Sequence, residues 1–227
     1  MDKKNFKTFQ FEIGFKYKAE RSKDQIADAF EKLIALKAFD GIKNVGSKRA
    51  RLTSADNTLS LLLTQDGLIV SFKNMQLRKV LIDDFQQVAK LLKEANNLLK
   101  FQGFNIEVSR SRHLFYSTTR KDRNYVINET IASKHQSELD AFQIALDFGD
   151  DVGFSNISMN LSNEHTTRMH KVFEEHGRLD DLSKLINIYS AYISTEDPDE
   201  KEIGRYLQDV AQAHVDLTVL ERIGYEG

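Results

Sequence analysis

The sequence predicts an α+β protein, an antiparallel sheet with helices packed on it followed by a helical C-terminal part. Three observations lead there. Several stretches alternate strictly between apolar and polar residues, as half-buried strands do; two longer stretches repeat apolar residues every three or four positions, as amphipathic helices do; turn residues such as Asp66-Gly67 punctuate them.

Taken in order, Phe9, Phe11, Ile13, Phe15 and Tyr17 share one side of a first strand, with Gln10, Glu12, Lys16 and Lys18 on the other. Ser22 and Gln25 then form a capping box, and Ile26, Phe30, Leu33 and Ile34 recur at helical spacing, predicting a helix from Lys23 to Phe39 closed by Gly41. "NVGSKRARL" reads as a strand. "NTLSLLLTQDGLIVSF" reads as a hairpin, with Asp66-Gly67 supplying the positive φ angles of a type I′ turn. Phe85, Val88, Leu91, Leu92, Ala95, Leu98 and Leu99 mark a second helix from Leu81 to about Lys100, closed by Gly103.

Residues 1–103 therefore form a β-α-β-β-β-α unit, and residues 104–227 a second unit expected to pack closely on it. "FNIEVSRSRHLFYSTT" is a strand or bent hairpin, and "AFQIALDFGDDVGFSNISMNL" is two strands around an acidic turn. Beyond Asn163 the pattern reads as wholly helical: one helix through the histidines at 165–177, one from Leu179 to Ile193, and one after Pro198, where Asp197 caps and Glu200 completes the box. The last carries a seam of Ile203, Leu207, Val210, His214 and Leu217, which must bury against the preceding helix or a partner chain. This order allows the two halves to be related α+β units.

Net charge is only -2, but it is unevenly distributed. Residues 1–124 hold 24 Lys+Arg against 14 Asp+Glu, a net +10, whereas residues 125–227 hold 8 against 20, a net -12. Such asymmetry implies a polyanion partner for the basic half, or halves that attract one another. Cysteine is absent, which excludes disulfides, thiolate metal sites and a cysteine nucleophile. No run approaches the roughly 18 apolar residues of a membrane span. With no export signal legible either, the expected location is the cytoplasm.

His165 and His176 face within about 20° of each other but about 16 Å apart along a helix, and His170 points elsewhere, so one ion cannot join them. His214 on the apolar seam reads as a core histidine. In "ALDFGDDVGF", Asp147, Asp150 and Asp151 at a turn between strands are how some phosphoryl-transfer enzymes present carboxylates to Mg²⁺ or Mn²⁺, with Glu107 the one further carboxylate on offer. The same residues also serve simply as turn formers. The Asp-Phe-Gly triplet lacks the other kinase motifs, and no G-x-S-x-G elbow is present.

The basic half is richer. Lys16 and Lys18, Arg49 and Arg51, and Arg110 and Arg112 are i, i+2 pairs on predicted strands, so each pair belongs to one face. If the strands share a sheet, the outcome is a basic surface, with its charges staggered, interleaved with Glu12 or arranged to meet an anion. Arg120, Lys121 and Arg123 lie close in sequence to Phe115, Tyr116 and Tyr125, the mixture of cations and stacking faces that single-stranded nucleic acid requires. The resulting expectation is a non-enzymatic binding or adaptor protein that takes nucleic acid or another polyanion, such as an acidic protein, on a basic sheet face. It needs no cofactor, and its C-terminal helix serves a protein partner or a second copy. The alternative is a metal-dependent phosphoryl-transfer or nuclease-like enzyme using the aspartates.

Overall fold

A computed structural model describes residues 7–74, 78–79 and 81–100, the backbone of strands at 106–117, 142–147, 154–161 and 186–193, and Arg205, Gln208 and Gln212. The elements run β1 (Lys7–Tyr17), α1 (Lys23–Leu33), β2 (Lys43–Val45), β3 (Arg49–Thr53), β4 (Leu59–Thr64), β5 (Gly67–Lys73), α2 (Ile82–Lys100), β6 (Ile106–Ser117), β7 (Phe142–Asp147), β8 (Phe154–Leu161) and β9 (Ile186–Ile193). All nine strands join one antiparallel sheet in the order β2-β3-β4-β5-β1-β6-β9-β8-β7. β1 and β6, which open the two halves, pair at its centre. Each is flanked by the last described strand of its own half, and the earlier strands follow outward in reverse order.

The alternation in β1 sets the core. Phe11, Ile13, Phe15 and Tyr17 are at most 1% exposed, joined by Leu61 and Leu63 of β4 and Leu68 and Val70 of β5. α2 closes over them with Phe85, Val88, Leu92, Ala95 and Leu99. The Phe11 ring sits 5.3 Å from that of Phe85, nearly parallel, and 5.1 Å from that of Phe72. At the far end of β1 the Tyr17 hydroxyl donates to Asn96 Oδ1 at 3.2 Å, and burial pushes the phenol well above its ordinary range, so it stays a neutral donor. α1 packs on α2 and against β3 and β4, burying Ile26, Ala29, Phe30 and Leu33.

Local signals explain the boundaries. The capping box at Ser22 is present in both directions: Gln25 N–H donates to Ser22 Oγ at 3.3 Å, and Ser22 N–H donates to Gln25 Oε1 at 3.0 Å. Arg78 forms a two-pronged ion pair with Asp84, at 2.6 and 2.7 Å, and the same carboxylate accepts from Leu81 N–H, fixing the entry to α2. In the β3–β4 turn Asn57 takes φ 58°, and Asp56 accepts from Ser54 and Thr58, which holds its carboxyl below the usual range.

Several expectations are corrected. α1 ends at Leu33 rather than Phe39; bonds from Ala35 N–H to Lys32 O and from Leu36 N–H to Leu33 O tighten the exit, which carries Phe39 into the core. Gly41 is no helix cap: it lies flush against the end of β3, donating to Thr53 O at 2.8 Å. "NVGSKRARL" is a hairpin, β2 and β3, closed where Gly46 N–H donates to Arg49 O, so four strands separate α1 from α2. In the β4–β5 hairpin Gln65 and Asp66 are the loop and Gly67 already belongs to β5; neither loop residue has positive φ, so the turn is not type I′. The two loop carbonyls instead accept from Arg21 and Tyr17 N–H, both at 2.8 Å, so tertiary bonding decides the turn.

The part beyond Asn163 is not wholly helical. The stretch read as a helix from Leu179 to Ile193 contains β9, paired with both β6 and β8. Its β-branched and aromatic residues, Ile186, Ile188, Tyr189, Tyr192 and Ile193, favour a pleated setting. The preceding helix expected to cover the final seam is therefore a strand over those residues. Arg205, Gln208 and Gln212, three and four positions apart, are helical and exposed, on the polar side of the last predicted helix. The histidines at 165–177, His214 and Gly103 lie outside the described residues. Among the described residues, no helix is long and apolar enough to cross a membrane.

Candidate functional site

Because side chains alternate across a strand and direct cross-strand partners share a face, the register assigns every strand residue to one side of the sheet. The helices cover the side of Phe11 and Ile13. On the other side, Glu12 lies opposite Ser71 and Arg112, Gly14 opposite Ile69 and Arg110, and Lys16 opposite Gly67 and Val108. Ile69 pairs with Leu62, Leu62 with Arg51, and Thr64 with Arg49. Lys16, Arg49, Arg51, Arg110 and Arg112 thus fall on one face of one sheet, opposite α1 and α2.

The N-terminal part of this outer face is open. Lys16, Arg49 and Arg51 are exposed, and Leu62 and Ile69 between them are half-buried. Arg51 and Arg110 are four strand spacings apart, about 19 Å, and Lys16 is three spacings from the Arg49 strand, about 14 Å. No two of these cations face each other across a ladder. Arg49, Arg51 and Arg110 oppose neutral residues, and Arg112 opposes Glu12, whose carboxylate accepts from Ser71 Oγ at 3.3 Å. The face is both staggered and interleaved, so it needs no bound anion to be stable.

The register adds residues that sequence reading passed over. Lys7 and Lys73 also belong to this face, so its described strand positions hold seven cations against two carboxylates, Glu12 and Asp147. Gln143, Asn160, Asn187, Tyr116 and Lys7 form one row across five strands, and Tyr189 lies beside Tyr116 on the diagonal. The alternation Asn156, Ser158, Asn160 against Ile157, Met159, Leu161 in β8 was the available signal.

Other predicted site residues are placed differently. Lys18 is exposed but follows the end of β1, off the sheet. Phe115, opposite Thr8 and Ile188, takes the core side, whereas Tyr116 takes the outer side, as consecutive strand residues must. Asp147 ends β7 on the outer face, in the row that runs through Asn156 and Ala191 to Arg112. Glu107 is three strands and five residues away from that point, about 20 Å, too far to share a metal ion with Asp147. Arg120, Lys121, Arg123, Tyr125, Asp150 and Asp151 lie outside the described residues. Among the described residues no cluster of three or more His, Asp or Glu could hold a metal.

No protein-family model matches this chain, and no curated protein matches it. Among solved structures, "Methanococcus jannaschii TBP" superposes with a TM-score of 0.31 at 10% identity, covering 93% of this chain and 99% of that one. At that score the match says nothing about what this chain binds.

Proposed function

We propose that this protein is a non-enzymatic binding module that holds single-stranded nucleic acid on the outer face of its sheet. The observation that carries the reading is the register: basic residues distant in sequence, Lys16, Arg49, Arg51, Arg110 and Arg112, meet on the one sheet face opposite the two helices. Cations spread over about 19 Å suit an extended polyanion better than a small one. The tyrosines at adjacent outer positions favour unpaired bases, since duplex bases are already stacked on one another.

A salt titration tests this. If about five phosphates are contacted, the affinity for a mixed-sequence single-stranded oligonucleotide falls roughly a hundredfold between 50 and 200 mM salt. Binding that is absent at the lower salt concentration, or indifferent to the change, contradicts the reading.

A further inference from the structure

The outer face is chemically divided. Its cations concentrate on β1, β3 and β6, whereas the outer positions of β7, β8 and β9 are Gln143, Ala145 and Asp147, then Asn156, Ser158 and Asn160, then Asn187, Tyr189, Ala191 and Ile193. None of these ten is a cation. Asparagine is disfavoured in strands, where Thr and Val are favoured. Here three asparagines occupy outer positions on two adjacent strands, and Gln143, Asn160 and Asn187 are direct neighbours along one row. Departures from local preference are expected at functional or strained sites, and here they recur on one side of one sheet.

The chemistry of the primary amide narrows the occupant. It carries a donor pair and an acceptor on one planar group and no charge, so it adds little to the capture of a phosphate. It is, however, the group that matches the donor and acceptor pattern on the edge of a nucleobase. A polyanion without bases, such as polyphosphate or an acidic protein, gains nothing from this row. Tyr116 holds the next position of this row on β6, where the amide positions meet the basic strands.

We propose that the β7–β8–β9 part of the face reads base edges, through Gln143, Asn156, Asn160 and Asn187, while the arginine strands hold the backbone, making the protein a sequence-selective binder of single-stranded nucleic acid. This rests on the reading of the outer face as a nucleic-acid surface. It is tested by selection from randomised single-stranded DNA and RNA libraries with the full chain, followed by affinities for the enriched sequence, a scrambled version and the enriched sequence as a duplex. The wild type is expected to prefer the enriched sequence at least tenfold over the scrambled one. Asn156→Ser with Asn160→Ser and Asn187→Ser is expected to bring the two to within about twofold, through a loss of affinity for the enriched sequence that exceeds any loss for the scrambled one. The single variant Asn187→Ser, gentler on folding, is expected to reduce the preference several-fold. Binding without preference, or a preference that survives the triple variant in a folded protein, overturns base reading and leaves the backbone surface standing. Tighter binding of the duplex overturns the single-strand assignment. No binding of any nucleic acid overturns this inference and its parent together.

Discussion

Arg49→Glu and Arg51→Glu combined with Arg110→Glu and Arg112→Glu are expected to weaken binding of a single-stranded oligonucleotide by about a thousandfold at moderate salt, with each pair alone giving an intermediate loss. The estimate follows from roughly 1–1.5 kcal/mol for each charge-assisted contact to phosphate, summed over four arginines. The two pairs belong to different strands separated by three others, so comparable losses from both locate the ligand across the sheet rather than at one edge. Folding should survive. Arg49 and Arg51 are exposed and oppose Thr64 and Leu62, and substitutions of that kind move stability by no more than about 0.5 kcal/mol. Arg112 opposes Glu12, so a glutamate there sets like charges across the ladder, at a cost of roughly 0.2–1 kcal/mol. Arg110→Gln with Arg112→Gln removes the positive charge without that repulsion and is the matched control. Affinity by fluorescence anisotropy, read beside a thermal melt of each variant, separates lost binding from lost fold.

Gly41→Val is expected to lower stability by about 3 kcal/mol, or by roughly 6–12 °C in Tm for a domain of this size. A Cβ at Gly41 would lie 2.4 Å from Ser54 O, 2.7 Å from Ser54 C and 2.9 Å from Thr53 O, all backbone atoms that no side-chain rotation can clear. Relief requires the 41–42 segment to lift away from β3. That would break the bonds from Gly41 N–H to Thr53 O, from Ile42 N–H to Thr53 Oγ1 and from Thr53 N–H to Ile42 O. Gly41→Ala should show a smaller loss of the same sign. A melt unchanged to within 1 °C for both variants would mean that the contact is loose. The effect reaches the candidate site because this segment leads into β2, the edge strand paired with the one that carries Arg49 and Arg51.

Much of the N-terminal half is legible in the sequence. β1, α1 and α2 follow from residue spacing, and the Ser22 box from its local chemistry, because each is specified by residues within a turn or two of one another. What sequence reading misplaces is decided at longer range. Gly41 looks like a helix stop until β3 is laid against it, and Asp66-Gly67 looks like a type I′ turn until Tyr17 and Arg21 claim the loop carbonyls. β9 is the largest miss. Its apolar residues suit either period over a short stretch, and its two neighbours come from strands about 30 and 75 residues earlier.

The candidate site shows the same division. Each i, i+2 basic pair can be read from spacing alone, but whether the pairs share a face depends on the parity of pairing through five strands. A one-residue slip in any ladder would turn the far pair into the core. The bulges at Thr8/Gln10 and Lys16/Tyr17 lie at the ends of the β1–β6 ladder, so the pairing of Glu12 with Arg112 and of Gly14 with Arg110 keeps that parity. The amide row escaped notice because asparagine and glutamine carry no charge to count, and its coherence exists only once β7, β8 and β9 are placed side by side.

The most direct test of the shared basic face is to map backbone amide shifts by NMR as a short mixed-sequence single-stranded oligonucleotide is added. The largest changes are expected at Lys16, Arg49, Arg51, Arg110 and Arg112 and their strand neighbours, with the exposed helix residues Lys23, Lys90 and Lys93 unmoved. Changes confined to α1 and α2, or restricted to one of the three basic strands at saturation, would contradict it.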